Sequence, residues 1–105
     1  MSINIKEIAK ELDFEEEDVM MLFGVFLESA HENLEKLFEA IEQNDFETIY
    51  SRSHSIKGSA ANLLLSGIAE SAFQMEKSAK NEESMEYKNY ALEIKSAVER
   101  IEKEL

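Results

Sequence analysis

The sequence has no cysteine, proline or tryptophan, and only three glycines among 105 residues. Without cysteine, a disulfide framework, a thiolate zinc site and a cysteine nucleophile are excluded. Without proline, and with little glycine, the chain lacks the usual punctuation of turns, so boundaries must be read from hydrophobic periodicity and polar capping residues. There is no run of about 18 apolar residues, and Met1-Ser2-Ile3-Asn4-Ile5-Lys6-Glu7 lacks the apolar stretch of a signal peptide. A soluble, cytoplasmic protein that does not engage membranes is expected. Positive charge is scarce too: 11 Lys and Arg against 23 Asp and Glu leave a formal net charge of −12. Phosphate polymers and anionic lipids are bound mainly by neutralising their charge with Lys and Arg, so nucleic-acid binding is not expected.

What is present is 44% hydrophobic residues in 12.0 kDa, enough for a single domain, 1–105, that buries roughly two-thirds of its unfolded surface. The charge is uneven. Residues 1–50 hold three Lys and 14 acids, and residues 81–105 hold four basic residues and seven acids. Residues 51–80 carry Arg52, Lys57, Lys77 and Lys80 against Glu70 and Glu76, a net of +2.

Apolar residues recur at spacings of three and four along most of the chain, and no segment alternates with period two, so the reading is all-helical. Ile5, Ile8, Ala9 and Leu12 mark a short first helix ending near Asp13. Asp13 is then expected to cap a long second helix, with Glu16 completing a capping box. Its apolar stripe is Val19, Phe23, Phe26, Ala30, Leu34, Leu37 and Ile41, widened by Leu22, Leu27 and Phe38. After an Asn44-Asp45 break, a third helix places Phe46, Ile49, Tyr50, Ser53, Ile56, Ala60, Leu63 and Leu64 on one side. Ser66-Gly67 reads as a tight turn. Ile68, Ala69, Ala72, Phe73 and Ala79 define a fourth helix, closed by Lys80-Asn81-Glu82-Glu83-Ser84. The last carries Tyr87, Ala91, Ile94, Val98, Ile101 and Leu105. Short connections favour antiparallel neighbours, so the expected fold is an up-down antiparallel four-helix bundle with a short additional N-terminal helix. The methionines after Met1, mainly Met20, Met21, Met75 and Met85, read as core filling.

Three residues in the third and fourth helices, His54, Gly58 and Glu76, are hard to explain as packing alone. His54 falls on the flank of the apolar face, where its imidazole is partly exposed. Lys57, Gly58 and Ala61 follow at i+3, i+4 and i+7 on the same stripe. A mid-helix glycine costs about 1 kcal/mol relative to alanine; Gly58 either admits a neighbouring helix or leaves the imidazole open to a large partner. Glu76 points within about 30° of the apolar face of its helix, an expensive place for a carboxylate without partners. His54 and Lys57 are the candidates. A carboxylate accepting from one ring nitrogen fixes the tautomer and leaves the other nitrogen as the nucleophile.

The stretch Ser53-His54-Ser55-Ile56-Lys57-Gly58-Ser59-Ala60, with its His-x-x-Lys-Gly-Ser-Ala pattern on the third helix of an acidic bundle, resembles the histidine phosphotransfer (HPt) domains of two-component phosphorelays. The likeness extends over nearly the whole chain, through Phe26-Leu27-Glu28, Asn44-Asp45-Phe46 and the trailing helical pair. By position it implies that His54 accepts the phosphoryl group, that Lys57 sits beside it and that Gly58 opens access. Glu76, 22 residues after the histidine, matches a position where the family often places a polar acceptor for the imidazole. Where the family commonly has glycine, ten residues past the histidine, this chain has Leu64.

The resemblance further implies a monomeric carrier that is not an enzyme in its own right and has no cofactor of its own. Its partner is the receiver domain of a response regulator or hybrid histidine kinase, which supplies Mg²⁺ and the catalytic acids. The basic residues, Arg52 among them, then offset the acidity of that partner. Two rival readings differ in class. Glu28-Ser29-Ala30-His31 has the Glu-x-x-His spacing of metal-binding bundles, although the residue three before His54 is Ser51. A non-phosphorylated adaptor would keep the bundle and use its acidic faces for protein contacts.

Overall fold

The computed structural model describes residues 3–105. They form five helices: α1 (Ile5–Leu12), α2 (Glu16–Glu42), α3 (Phe46–Asn62), α4 (Ser66–Lys80) and α5 (Tyr87–Glu104), with no strand among the described residues. Helices α2 to α5 pack in a closed cycle, each against two others, and α1 lies against α2. The result is an elongated bundle of 41 × 22 × 20 Å.

Helices α1 and α3 start where a short polar side chain takes up a free backbone N–H group. Asn4 accepts from the Glu7 N–H at 3.0 Å, and Asp45 accepts from the Thr48 N–H at 3.2 Å and from its hydroxyl at 2.7 Å. Helices α1 to α4 stop by one repeated device. Asp13, Asn44, Leu64 and Glu82, each just beyond a helix, take left-handed φ values of 59°, 53°, 60° and 52°. The following residue donates back five positions: Phe14 to Ala9, Asp45 to Ala40, Leu65 to Ala60 and Glu83 to Ser78, each at 2.9 Å. This is the Schellman stop, usually made with glycine; no glycine of this chain has positive φ.

That device corrects two boundary expectations. Asp13 terminates α1 and does not cap α2, whose N-cap is Glu15 without a side-chain bond. Ser66 and Gly67 are the first residues of α4, and the turn lies at Leu63–Leu65.

One cluster of buried side chains runs through the bundle, with Phe23, Leu37, Ile49, Ile56, Met75, Ile94 and Val98 fully enclosed. The predicted stripes supply nearly all of it. Leu22, Leu64, Phe73 and Leu105 instead lie exposed, as do Met20 and Met21, while Met75 is buried. Leu64 leaves the core because α3 ends before it, and Leu22 lines an open groove.

Candidate functional site

His54 stands on the solvent side of α3, its side chain 59% exposed. Nδ1 lies 3.3 Å from Oε2 of Glu76, which reaches across from α4 with its side chain only 12% exposed. Lys57, one turn after His54, places Nζ 2.8 Å from the same Oε2 and donates to Oε1 at 3.1 Å. One carboxylate thus receives both groups. Oε2 is buried and has no hydrogen bond of good angle, so its 2.8 Å approach to Lys57 is an ion contact and its 3.3 Å approach to the imidazole a polar one. That leaves acceptor capacity for a straighter bond from Nδ1–H once the ring gains charge. Nε2 of His54 has no partner among the described residues.

Burial alone raises the proton affinity of Glu76, yet the hydrogen bond and positive charge of Lys57, with the neighbouring imidazole of His54, outweigh it and hold the carboxyl below its ordinary value of 4.5. Glu76 is therefore an anion at neutral pH, able to fix the Nδ1–H tautomer of His54.

Gly58 is exposed, and a Cβ added there would meet no atom within 4 Å. No neighbouring helix needs that space, so helix packing does not account for Gly58. Ala61, one turn further, is exposed on the same stripe. Arg52 belongs elsewhere: it donates to Asn33 of α2 at 3.2 Å, and Asn33 in turn donates to Ser29 at 3.3 Å. It is not part of the His54–Lys57–Glu76 cluster.

Sequence reasoning missed two aromatic neighbours by assigning both to the core. The Tyr50 ring stacks beside His54, centroids 6.0 Å apart and planes 15° apart. Phe73 is 39% exposed and carries the ammonium groups of Lys57 and Lys77, each 5.6 Å from its centroid. Exposed Phe14, Leu22 and Val25 line a groove of about 500 Å³ with Ser59 and Asn62 of α3.

His31 pairs with Glu102 of α5, Nε2 to Oε2 at 2.9 Å. Among the described residues no group of three or more His, Asp or Glu side chains is arranged to hold a metal ion. No described helix is long and apolar enough to cross a membrane.

The helical bundle thus presents an exposed histidine beside a half-buried carboxylate, with a lysine and a glycine on the same stripe as the histidine. The family described as Hpt domain matches residues 21–104, and the chain belongs to that family. Its members carry phosphoryl groups in two-component relays, where they interact with receiver domains, and are carriers rather than catalysts. No curated protein and no solved structure matches the chain.

Proposed function

We propose that this chain is a single phosphotransfer domain, an up-down antiparallel four-helix bundle with α1 laid against it, and that His54 is its phosphoryl acceptor. The observation that carries the reading is the contact of His54 Nδ1 with the half-buried Glu76 carboxylate, on an imidazole that is itself 59% exposed. With Nδ1 protonated and held, the Nε2 lone pair attacks the phosphorus of a receiver's aspartyl phosphate. The N–P bond forms, the P–O bond to aspartate breaks, and the aspartate leaves as a carboxylate. The ring takes on positive charge, which Glu76 offsets, while Lys57 offsets the phosphoryl oxygens. The reverse step hands the group to a second receiver.

The receiver supplies Mg²⁺ and the acids that hold it; this chain supplies a positioned nucleophile and a surface. That surface runs from Gly58 and Ala61 to the apolar groove of Phe14, Leu22 and Val25, close to the α3 stripe. The domain works as a monomer in the cytoplasm.

The test is transfer from a phosphorylated receiver domain to the wild type and to His54→Gln. The wild type becomes labelled and the variant does not; a variant that still accepts the group overturns the assignment. Receiver binding indifferent to substitutions at His54 and Lys57 would instead favour a non-phosphorylated adaptor.

A further inference from the structure

Glu76 touches the imidazole of His54 at one atom, Nδ1, at 3.3 Å. A second contact is on its own helix. Tyr50 is one turn before His54, and Gly58 is one turn after. Helical side chains lean towards the N-terminus, so His54 lies over the turn that bears Tyr50, and any side chain at position 58 would lean back over His54. The structure has both consequences: the Tyr50 ring is stacked against the imidazole at 6.0 Å and 15°, and no atom lies within 4 Å of where a Gly58 Cβ would be. One side of the ring is therefore backed and the other open.

Tyr50 is suited to be that backing. It is half-buried against the core and borders a cleft with Phe46 and Ala79, so its ring is anchored independently of His54. Its hydroxyl has no partner among the described residues, so the ring rather than the phenol is what the position uses. We infer that Tyr50 is a positioning residue: its ring backs the His54 imidazole and holds Nε2 in the orientation that faces a partner arriving over Gly58. The inference rests on His54 being the phosphoryl acceptor, and it predicts that removal of the aromatic ring affects the transfer step rather than receiver binding.

The experiment compares Tyr50→Phe, Tyr50→Leu and Tyr50→Met with the wild type in the full chain. Each is read by thermal midpoint, by NMR couplings that report the His54 side-chain rotamers before phosphorylation, and by single-turnover transfer over a range of receiver concentrations. Tyr50→Phe keeps the wild-type ring order and stays within about twofold in maximal rate. Tyr50→Leu and Tyr50→Met average the rotamers and lower the maximal rate about 3- to 10-fold, the range expected from one aromatic contact, with the half-saturating receiver concentration unchanged. If Leu fails to fold, Met decides the matter. Wild-type ring order and rate in the non-aromatic variants would overturn the inference, as would equal slowing by Phe. Should His54→Gln still accept phosphate, the acceptor assignment fails while the rotamer comparison still judges the role of Tyr50.

Discussion

The carboxylate of Glu76 on α4 lies 3.3 Å from the imidazole Nδ1 of His54 on α3. The same carboxylate holds Lys57, so one side chain sets the tautomer of the nucleophile and the place of the cation. Glu76→Gln keeps an acceptor for Nδ1 but loses the charge; Glu76→Ala loses both. Single-turnover transfer should fall modestly in the Gln variant and about tenfold or more in the Ala variant. Urea unfolding should show Glu76→Ala destabilised by about 1–2 kcal/mol, because the half-buried Lys57 ammonium is left unpaired. Equal rates in all three proteins would remove Glu76 from the mechanism.

The pH dependence of stability follows from the same carboxyl. Its folded-state proton affinity is lowered by Lys57 and His54 against the opposing effect of burial. A depressed carboxyl contributes stability that is fully present above its unfolded value and is lost as pH falls through the folded one. The urea midpoint of the wild type should therefore exceed that of Glu76→Gln near neutrality, and the gap should close as pH falls below 4.5. A gap constant between about pH 6 and pH 3 would contradict this.

Gly58 separates stability from function. Alanine there meets nothing within 4 Å, so Gly58→Ala should stabilise the fold by about 1 kcal/mol through helix propensity. Gly58→Gln should fold equally well and transfer more slowly, since its side chain leans over His54. The pair is read by thermal melts and transfer rates. An unimpaired Gln variant would mean that nothing large approaches over this residue.

Leu64 takes the left-handed conformation, φ 60°, while 46% exposed. A non-glycine residue there costs roughly 1–2 kcal/mol, against which glycine loses some entropy on folding. Leu64→Gly should therefore be neutral to stabilising, by up to about 1 kcal/mol in urea unfolding. Clear destabilisation would mean that the Leu64 side chain makes contacts worth more than the strain.

The five helices were legible from spacing alone because each buries a stripe of the expected period, and Glu76 was legible because its direction conflicts with its charge. The stops at Asp13, Asn44 and Glu82 were legible too, as polar breaks in the apolar period. The stop at Leu64 was not, because a leucine does not announce a left-handed turn as glycine or asparagine would. Direction around a helix also does not say which neighbour lies there. Arg52 and His54 are two residues apart, yet Arg52 turns to Asn33 on α2 and His54 to Glu76 on α4. Tyr50 and Phe73 followed the apolar period and were assigned to the core, whereas each also supports a polar group of the site.

The chain has two histidines, each beside a carboxylate: His31 with Glu102 and His54 with Glu76. Lys57 also reaches the Glu76 carboxylate, whereas Glu28, Glu32 and Glu35 surround His31 in sequence. The decisive measurement is to phosphorylate the protein from a charged receiver domain and locate the group by peptide mass spectrometry under alkaline conditions, where phosphohistidine survives. The modification should be acid-labile, base-stable and confined to the peptide that contains His54. Phosphate on His31, an acid-stable modification, or none at all would contradict the assignment of His54 as the carrier.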